Sequence, residues 1–355
     1  MIITRRIPFL LNARFETLTE AQVVDRLSAF LLDFRIARSG CDPEDEDALC
    51  DLELDGLSIR DSVRVRQRAR YFLKARKQRS GLGHLRDSDM DALRGCGQGV
   101  ELRGPDTVHR MDEVAGALTE EMPWMAPAIE PIWLEARTRI AQGHAYGHRP
   151  ILLVGPPGIG KTHMLRRLAE LAGTPFAGVD VAASSEGFSL AGVSRGWGSA
   201  MPGRPVSTVL ETGCGNPTVF VDEIDKAVVA RSSNGTMTSA WNALLGLLEP
   251  KNAARWLCPF YQVAFDMSHV NWVLAANTTT TIPEPLLSRC HVVHLDPMTR
   301  EHMLEFAARQ LEGDVLADVE RVLTIIPDGH FKLNMRTLHR IIESVTAIHD
   351  RPLLQ

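Results

Sequence analysis

The chain has 355 residues, 45% of them hydrophobic and 23% charged, with a formal net charge of −5 at pH 7. That length allows a large buried core and two or three domains, and the acidic balance argues against a general basic coat for nucleic acid. No apolar run approaches the roughly 20 residues of a membrane helix, and the run after Arg5 and Arg6 is too short for a signal peptide, so a cytoplasmic location is expected. Six scattered cysteines without a CxxC pair read as reduced thiols, not as a disulfide or zinc framework.

Residues 1–115 read mostly as helix and loop. An acidic block from Asp42 to Asp55 precedes a basic one, Arg60 to Arg79, in which nine of twenty residues are Arg or Lys. Val65, Ala69, Phe72 and Leu73 share one helical face there, which predicts an amphipathic helix. Its charges read either as a solvated face packed on its own domain or as a docking surface for nucleic acid or an acidic partner. The Gly-rich stretch from Ser80 to Gly104 reads as loop or linker.

From 116 to 295 the pattern changes to short apolar runs alternating with helical segments. The runs are Ile151–Val154, Phe176–Val181, Thr218–Val221, Trp272–Ala276 and His291–Leu295. Continuous apolar strands of this kind predict an α/β fold, a parallel sheet flanked by helices. Residues 296–355 lose the strands and read as a small helical domain. His291 and His294 would point to opposite faces of their strand, so a shared metal is not expected.

The first apolar run leads into Gly155-Pro156-Pro157-Gly158-Ile159-Gly160-Lys161-Thr162-His163, with a helix predicted from Met164 to Leu171. Glycines let backbone N–H groups turn toward phosphate oxygens, and the helix presents its positive end to the same anion. Lys161 would reach the β- and γ-phosphates of ATP, and the Thr162 hydroxyl would bind Mg²⁺. The second half of the site is Thr218-Val219-Phe220-Val221-Asp222-Glu223. Asp222 would hold the metal from the carboxyl end of its strand, and Glu223 would orient and deprotonate the attacking water. Hydrolysis of ATP is the reaction these residues predict.

The order of these motifs, with a polar residue ending the next strand, an Arg after Pro285-Leu286-Leu287 and a helical lid, resembles an AAA+ ATPase of the P-loop NTPase class. More closely, Gly155–Thr162, Ala200–Arg204, Val221–Lys226, Leu244–Pro250, Val263–Ser268, Ala275–Thr278 and Ile282–Arg289 resemble the ATPase module of the Lon protease family. The resemblance covers roughly residues 120–350. It implies that Asn277 is the sensor of the attacking water or γ-phosphate and that Arg289 is a finger reaching a neighbouring subunit's site. It also implies that Arg336 is the lid arginine. A finger supplied in trans requires a closed ring, so the resemblance implies a homo-oligomer, and the family implies a hexamer. Trp197, between Gly196 and Gly198, falls where the family places a pore aromatic that grips a polypeptide, and Trp256 is a weaker second candidate.

The family's peptidase domain, with its Ser–Lys dyad, should follow the lid, and the sequence stops at Gln355, so no peptidase activity is expected. Three functions compete. The first is a ring motor that remodels a protein substrate, working for a separate effector. The second is a nucleic-acid-linked ATPase, a loader or helicase-like factor, using residues 60–79. The third is a nucleotide-gated scaffold, which intact Glu223, Asn277 and Arg289 argue against. The expected division is 1–115 (N-terminal region), 116–295 (nucleotide-binding domain) and 296–355 (lid).

Overall fold

The computed structural model describes the chain except residues 1–4, 13–14, 16–17, 40–56, 182–187, 197, 199, 228–229, 232–236, 239, 327–333 and 351–355. It resolves into two compact units, one of residues 12–97 and one of residues 1–11 with 98–355. The sequence pattern had suggested a break near residue 115.

In the smaller unit, α1 (Glu20–Ser39) and α2 (Ile59–Arg79) pack on one another. Arg35 pairs with Asp61, and Arg70 Nε lies 2.8 Å from Glu20 Oε1, which fixes the two helices antiparallel. Ser58 caps α2 by accepting from the Asp61 N–H. The predicted amphipathic face is buried at Val65 and Ala69, while Phe72 stays exposed with the Arg76 guanidinium 5.6 Å from its ring. The stretch read as linker instead contains α3 (Asp87–Arg94), and it buries Leu82, Leu85, Leu93 and Cys96. Its glycines had masked a spaced leucine set.

The larger unit opens with strands that sequence reading had missed. β1 (Arg5–Ile7) pairs antiparallel with β3 (Val100–Leu102), and β2 (Leu10–Leu11) pairs with β10 (Ala264–Phe265). Two or three residues are too few to display an alternation. Phe9, fully buried, stacks on Phe265 at 4.8 Å. β10 also pairs with β9 (Trp256–Leu257), so Trp256 lies in a small sheet, and β7 (Ala230–Arg231) pairs with β8 (Met237–Thr238).

The centre is a five-stranded parallel sheet. Its strands are β4 (Ile151–Val154), β5 (Phe176–Asp180), β6 (Thr218–Asp222), β11 (Asn271–Ala276) and β12 (His291–His294), in the order β12-β4-β11-β6-β5. All four residues of β4 and all six of β11 are buried, as a sheet covered on both faces requires. Surrounding it are α4 (Val108–Glu121), α5 (Ala126–Ala141), α6 (Lys161–Ala172), α7 (Phe188–Ala191), α8 (Arg204–Thr212), α9 (Ala240–Leu248), α10 (Pro250–Ala253) and α11 (Glu284–Leu287). The lid is α12 (Arg300–Gln310), α13 (Gly313–Ile325) and α14 (Met335–His349). Its Met303, Phe306, Leu323 and Leu338 join the same apolar cluster as Ile151, Leu165 and Val273.

The amino ends of the central strands are knitted by two buried asparagines. Asn216 accepts from the Arg103 N–H at 2.8 Å and donates to the Arg103 and Tyr146 carbonyls at 2.6 and 3.1 Å. Asn271 donates to the Asn216 carbonyl at 3.0 Å and accepts from the His148 N–H at 3.2 Å. Among the described residues no helix is long and apolar enough to cross a membrane.

Candidate functional site

The site lies at the carboxyl end of the central sheet, where open parallel sheets collect their ligands. After β4 the loop turns through Gly158 (φ +82°) and Gly160 (φ +100°), left-handed conformations that a side chain would strain. α6 then begins at Lys161, which places Thr162 and His163 in its first turn. The loop is tied to the neighbouring strand by the Gly155 N–H, which donates to the Ala276 carbonyl at 3.1 Å.

The Lys161 ammonium is folded onto this loop, donating to the Gly155 and Pro156 carbonyls at 2.7 and 3.2 Å. Burial pushes its pKa below the ordinary lysine value, and Asp222, Asp225 and Glu223 oppose that shift. Asp222 ends β6, and burial raises its carboxyl above the usual aspartate value while the Glu223 N–H (2.9 Å) and Lys161 pull it back. Asp180 and Asp222 are register partners on β5 and β6, so a second carboxylate stands beside the metal candidate.

Glu223 adopts a left-handed backbone, φ +54° and ψ +39°, which is uncommon outside glycine and is a feature of strained functional turns. Its Oε1 is 2.5 Å from Lys226 Nζ, a pairing the sequence motif did not foretell. Asn277 leaves the carboxyl end of β11, and its backbone N–H donates to Asp225 Oδ2 at 3.2 Å. Thr281 Oγ1 donates to the Asp225 carbonyl at 2.9 Å, so the turn after Asp222 is held from the β11 side.

The lid reaches the same loop. The Met335 N–H donates to the Gly158 carbonyl at 2.8 Å, and Asn334 caps α14 by accepting from the Thr337 N–H at 2.9 Å. Arg336 is the next residue and is exposed in the first turn of α14. A Cβ built on Gly158 would stand 3.1 Å from Asn334 Cβ, a tight approach that adds to the constraint of its left-handed angle. Below the loop, Trp124 Nε1 donates to the Ile159 carbonyl at 2.8 Å. The Trp124 ring packs 5.8 Å from His302 and 5.9 Å from Phe306 of the lid. Sequence reading missed Trp124 and the Asn334–Met335 contact, because both depend on chain segments far apart. Trp197 lies outside the described residues.

Arg289 is not in this cluster. It precedes β12, whose His291 is in register with Ile151 at the start of β4, so it sits at the opposite end of the sheet from the Gly155–Thr162 loop. The length of β4, about 13 Å, lies between them. Arg289 Nη1 donates to the Pro285 carbonyl at 2.6 Å, and Nε lies 3.3 Å from Glu249 Oε2.

A glycine loop with an ammonium parked on its own carbonyls is an anion cradle, and it fits the polyphosphate of a nucleotide. Among the described residues no three His, Cys, Asp or Glu stand close enough to hold a metal alone. The Thr162 hydroxyl and the Asp222 carboxylate are the side chains that would hold a magnesium ion here, beside the oxygens of a bound phosphate.

Comparison with known proteins agrees with this geometry. Residues 151–297 match the family described as ATPase family associated with various cellular activities (AAA). Residues 151–297 carry an AAA domain. The chain is similar to part of a mitochondrial Lon protease homolog of Ostreococcus lucimarinus, 36% identical over 208 residues, which is 55% of this chain and 22% of that protein. It is also similar to the human peroxisomal Lon protease homolog 2, 35% identical over 163 residues (46% of this chain, 18% of that one). With the Lon protease of Aquifex aeolicus the identity is 30% over 218 residues, 58% of this chain and 27% of that one. The matched region of the chain thus spans about a quarter or less of these relatives' length. The resemblance and the α/β fold expected from sequence both hold.

Proposed function

We propose that this AAA+ module hydrolyses ATP with magnesium and works as a ring of identical subunits that remodels a protein substrate. The observation that carries the hydrolytic reading is the convergence at one end of the sheet of the Gly155–Thr162 loop, Asp222, Glu223, Asn277 and the lid contact at Gly158. Magnesium, when bound, neutralises charge on the phosphate oxygens. The chain's own residues do the rest. Loop N–H groups and Lys161 bind the phosphates, and Lys161 leaves two carbonyls to do so. Glu223 takes the proton of the attacking water once its carboxylate parts from Lys226, and Asn277 orients that water. Arg336, one residue past the Met335–Gly158 hydrogen bond, reads whether the loop is filled.

The ring reading is supported by the position of Arg289, an arginine presented at the far end of the sheet from its own loop, as a finger for a neighbour's site would be. A remodelling role is the reading that accords with similarity to Lon proteases. The test of the core claim is a pair of variants. Lys161→Ala should lose nucleotide binding, and Glu223→Gln should keep ATP bound with turnover nearly abolished. Ordinary turnover in Glu223→Gln would remove the proposed base.

One observation favours a second reading, an ATPase linked to nucleic acid. Eight of the nine basic residues from Arg60 to Arg79 are exposed along α2. DNA or RNA should then stimulate turnover, with affinity falling steeply as salt rises. A rate that ignores nucleic acid would eliminate it.

A further inference from the structure

We propose that Glu249 is a positioning residue for Arg289, fixing the guanidinium for the neighbouring subunit's site. The inference rests on the reading of Arg289 as a finger supplied in trans. Glu249 lies between α9 and α10, and its carbonyl accepts the Asn252 and Ala253 N–H groups at 3.0 and 2.8 Å, so its backbone is fixed. Its Oε2 is 3.3 Å from Arg289 Nε. That Nε–H is buried and aligned on no acceptor, which makes the Glu249 contact coulombic rather than a directed hydrogen bond. On another edge, Nη1 is pinned by the Pro285 carbonyl of α11, four residues earlier, at 2.6 Å.

An arginine side chain carries much rotamer freedom, and a finger left free must lose that freedom each time a transition state forms. Here two contacts hold it in advance, one carbonyl and one carboxylate. They use Nη1 and Nε and leave Nη2 outside both. The side chains are partly open, 30% exposed for Arg289 and 36% for Glu249, so the pair can face a partner.

The pair is also joined to the hydrolytic turn of its own subunit. Trp241, in the first turn of α9, donates its indole N–H to the Ile224 carbonyl at 3.1 Å, next to Glu223. α9 runs from that contact to Glu249. From the other side, Thr281 holds Asp225 and leads into α11, which contains Pro285. Both contacts that pin Arg289 therefore originate in elements bonded to the turn at 224–225.

The experiment is steady-state ATP turnover of the full chain in Glu249→Ala, Glu249→Gln, Glu249→Asp and Arg289→Ala, each alone and mixed with Glu223→Gln subunits. Misplacing a finger without deleting it should lower kcat about tenfold in Glu249→Ala, with KM for ATP unchanged. Glu249→Gln should behave like Glu249→Ala because the contact is coulombic, and Glu249→Asp should recover part of the loss. Mixing Glu249→Ala with Glu223→Gln should restore turnover, since the second subunit brings an intact pair to the first one's intact base. Slow Arg289→Ala beside parental rates in Glu249→Ala and Glu249→Gln would overturn the proposal. So would a faster Glu249→Ala, or a slow Glu249→Gln that mixing fails to rescue. Parental turnover in Arg289→Ala would instead overturn the finger reading beneath it.

Discussion

Trp124 offers the most direct test of how the phosphate loop is held. Its indole N–H donates to the Ile159 carbonyl at 2.8 Å, inside the loop, and its ring packs between that loop and the lid residues His302 and Phe306. Trp124→Phe keeps an aromatic ring and removes the donor. Losing one hydrogen bond of this kind costs about 1 kcal/mol. If the bond orders the loop in the form that binds nucleotide, the whole loss appears in affinity, a rise in Kd of about fivefold. Trp124→Ala removes the ring as well, and an emptied aromatic site costs about 3–5 kcal/mol, enough to loosen the lid from the loop. The measurement is calorimetric titration with Mg-ATP in the Glu223→Gln background, where hydrolysis does not intervene. Affinity in Trp124→Phe equal to that of Glu223→Gln alone would refute the reasoning. It would show that glycine angles and the Met335 contact shape the loop without Trp124.

Three further outcomes follow from groups described above. Asn216→Ala strands three backbone groups, the buried Tyr146 carbonyl and the partly buried Arg103 N–H and carbonyl, and should destabilise the fold by about 2–3 kcal/mol in urea denaturation. Asp222 has its folded pKa raised, chiefly by burial, so its ionised form costs stability above that pKa, and the cost fades as pH falls toward the usual aspartate value. Asp222→Asn should therefore raise the thermal midpoint of the nucleotide-free protein at pH 7, with a gain that shrinks on acidification. An equal gain at every pH would contradict this. Burial pushes the Cys96 thiol up to about 11, so thiol-specific reagents should label it slowly until the protein unfolds.

Much of the candidate site was legible because its residues lie in short local motifs. The five central strands occur within a residue or two of the apolar runs that announced them, and α6 starts at Lys161 as a phosphate loop requires. Asp222 and Glu223 needed only their place at a strand end. What escaped depended on contacts between distant segments. Trp124 looks in sequence like any apolar residue near a helix start, and only the fold puts its indole under Ile159. Asn334 could be read as a cap, but not as the neighbour of Gly158. Lys226 and Glu249 are ordinary surface charges until Glu223 and Arg289 are seen beside them. β1, β2 and β3 were too short to carry a period, and their partners set them as strands.

Those short strands change what kind of object residues 12–97 are. Because β1 and β2 are paired within the larger unit, and the chain returns to it at residue 98, the smaller unit is an insertion tethered at both ends. It is not a leading appendage. A fragment cut to begin at residue 98 would strip the pairing partner from β3 and from one side of β10, opening two strand edges of the kind that drive edge-to-edge association. The clean excision is internal, a short bridge from residue 11 to residue 98, which keeps both edges closed while removing α1, α2 and α3.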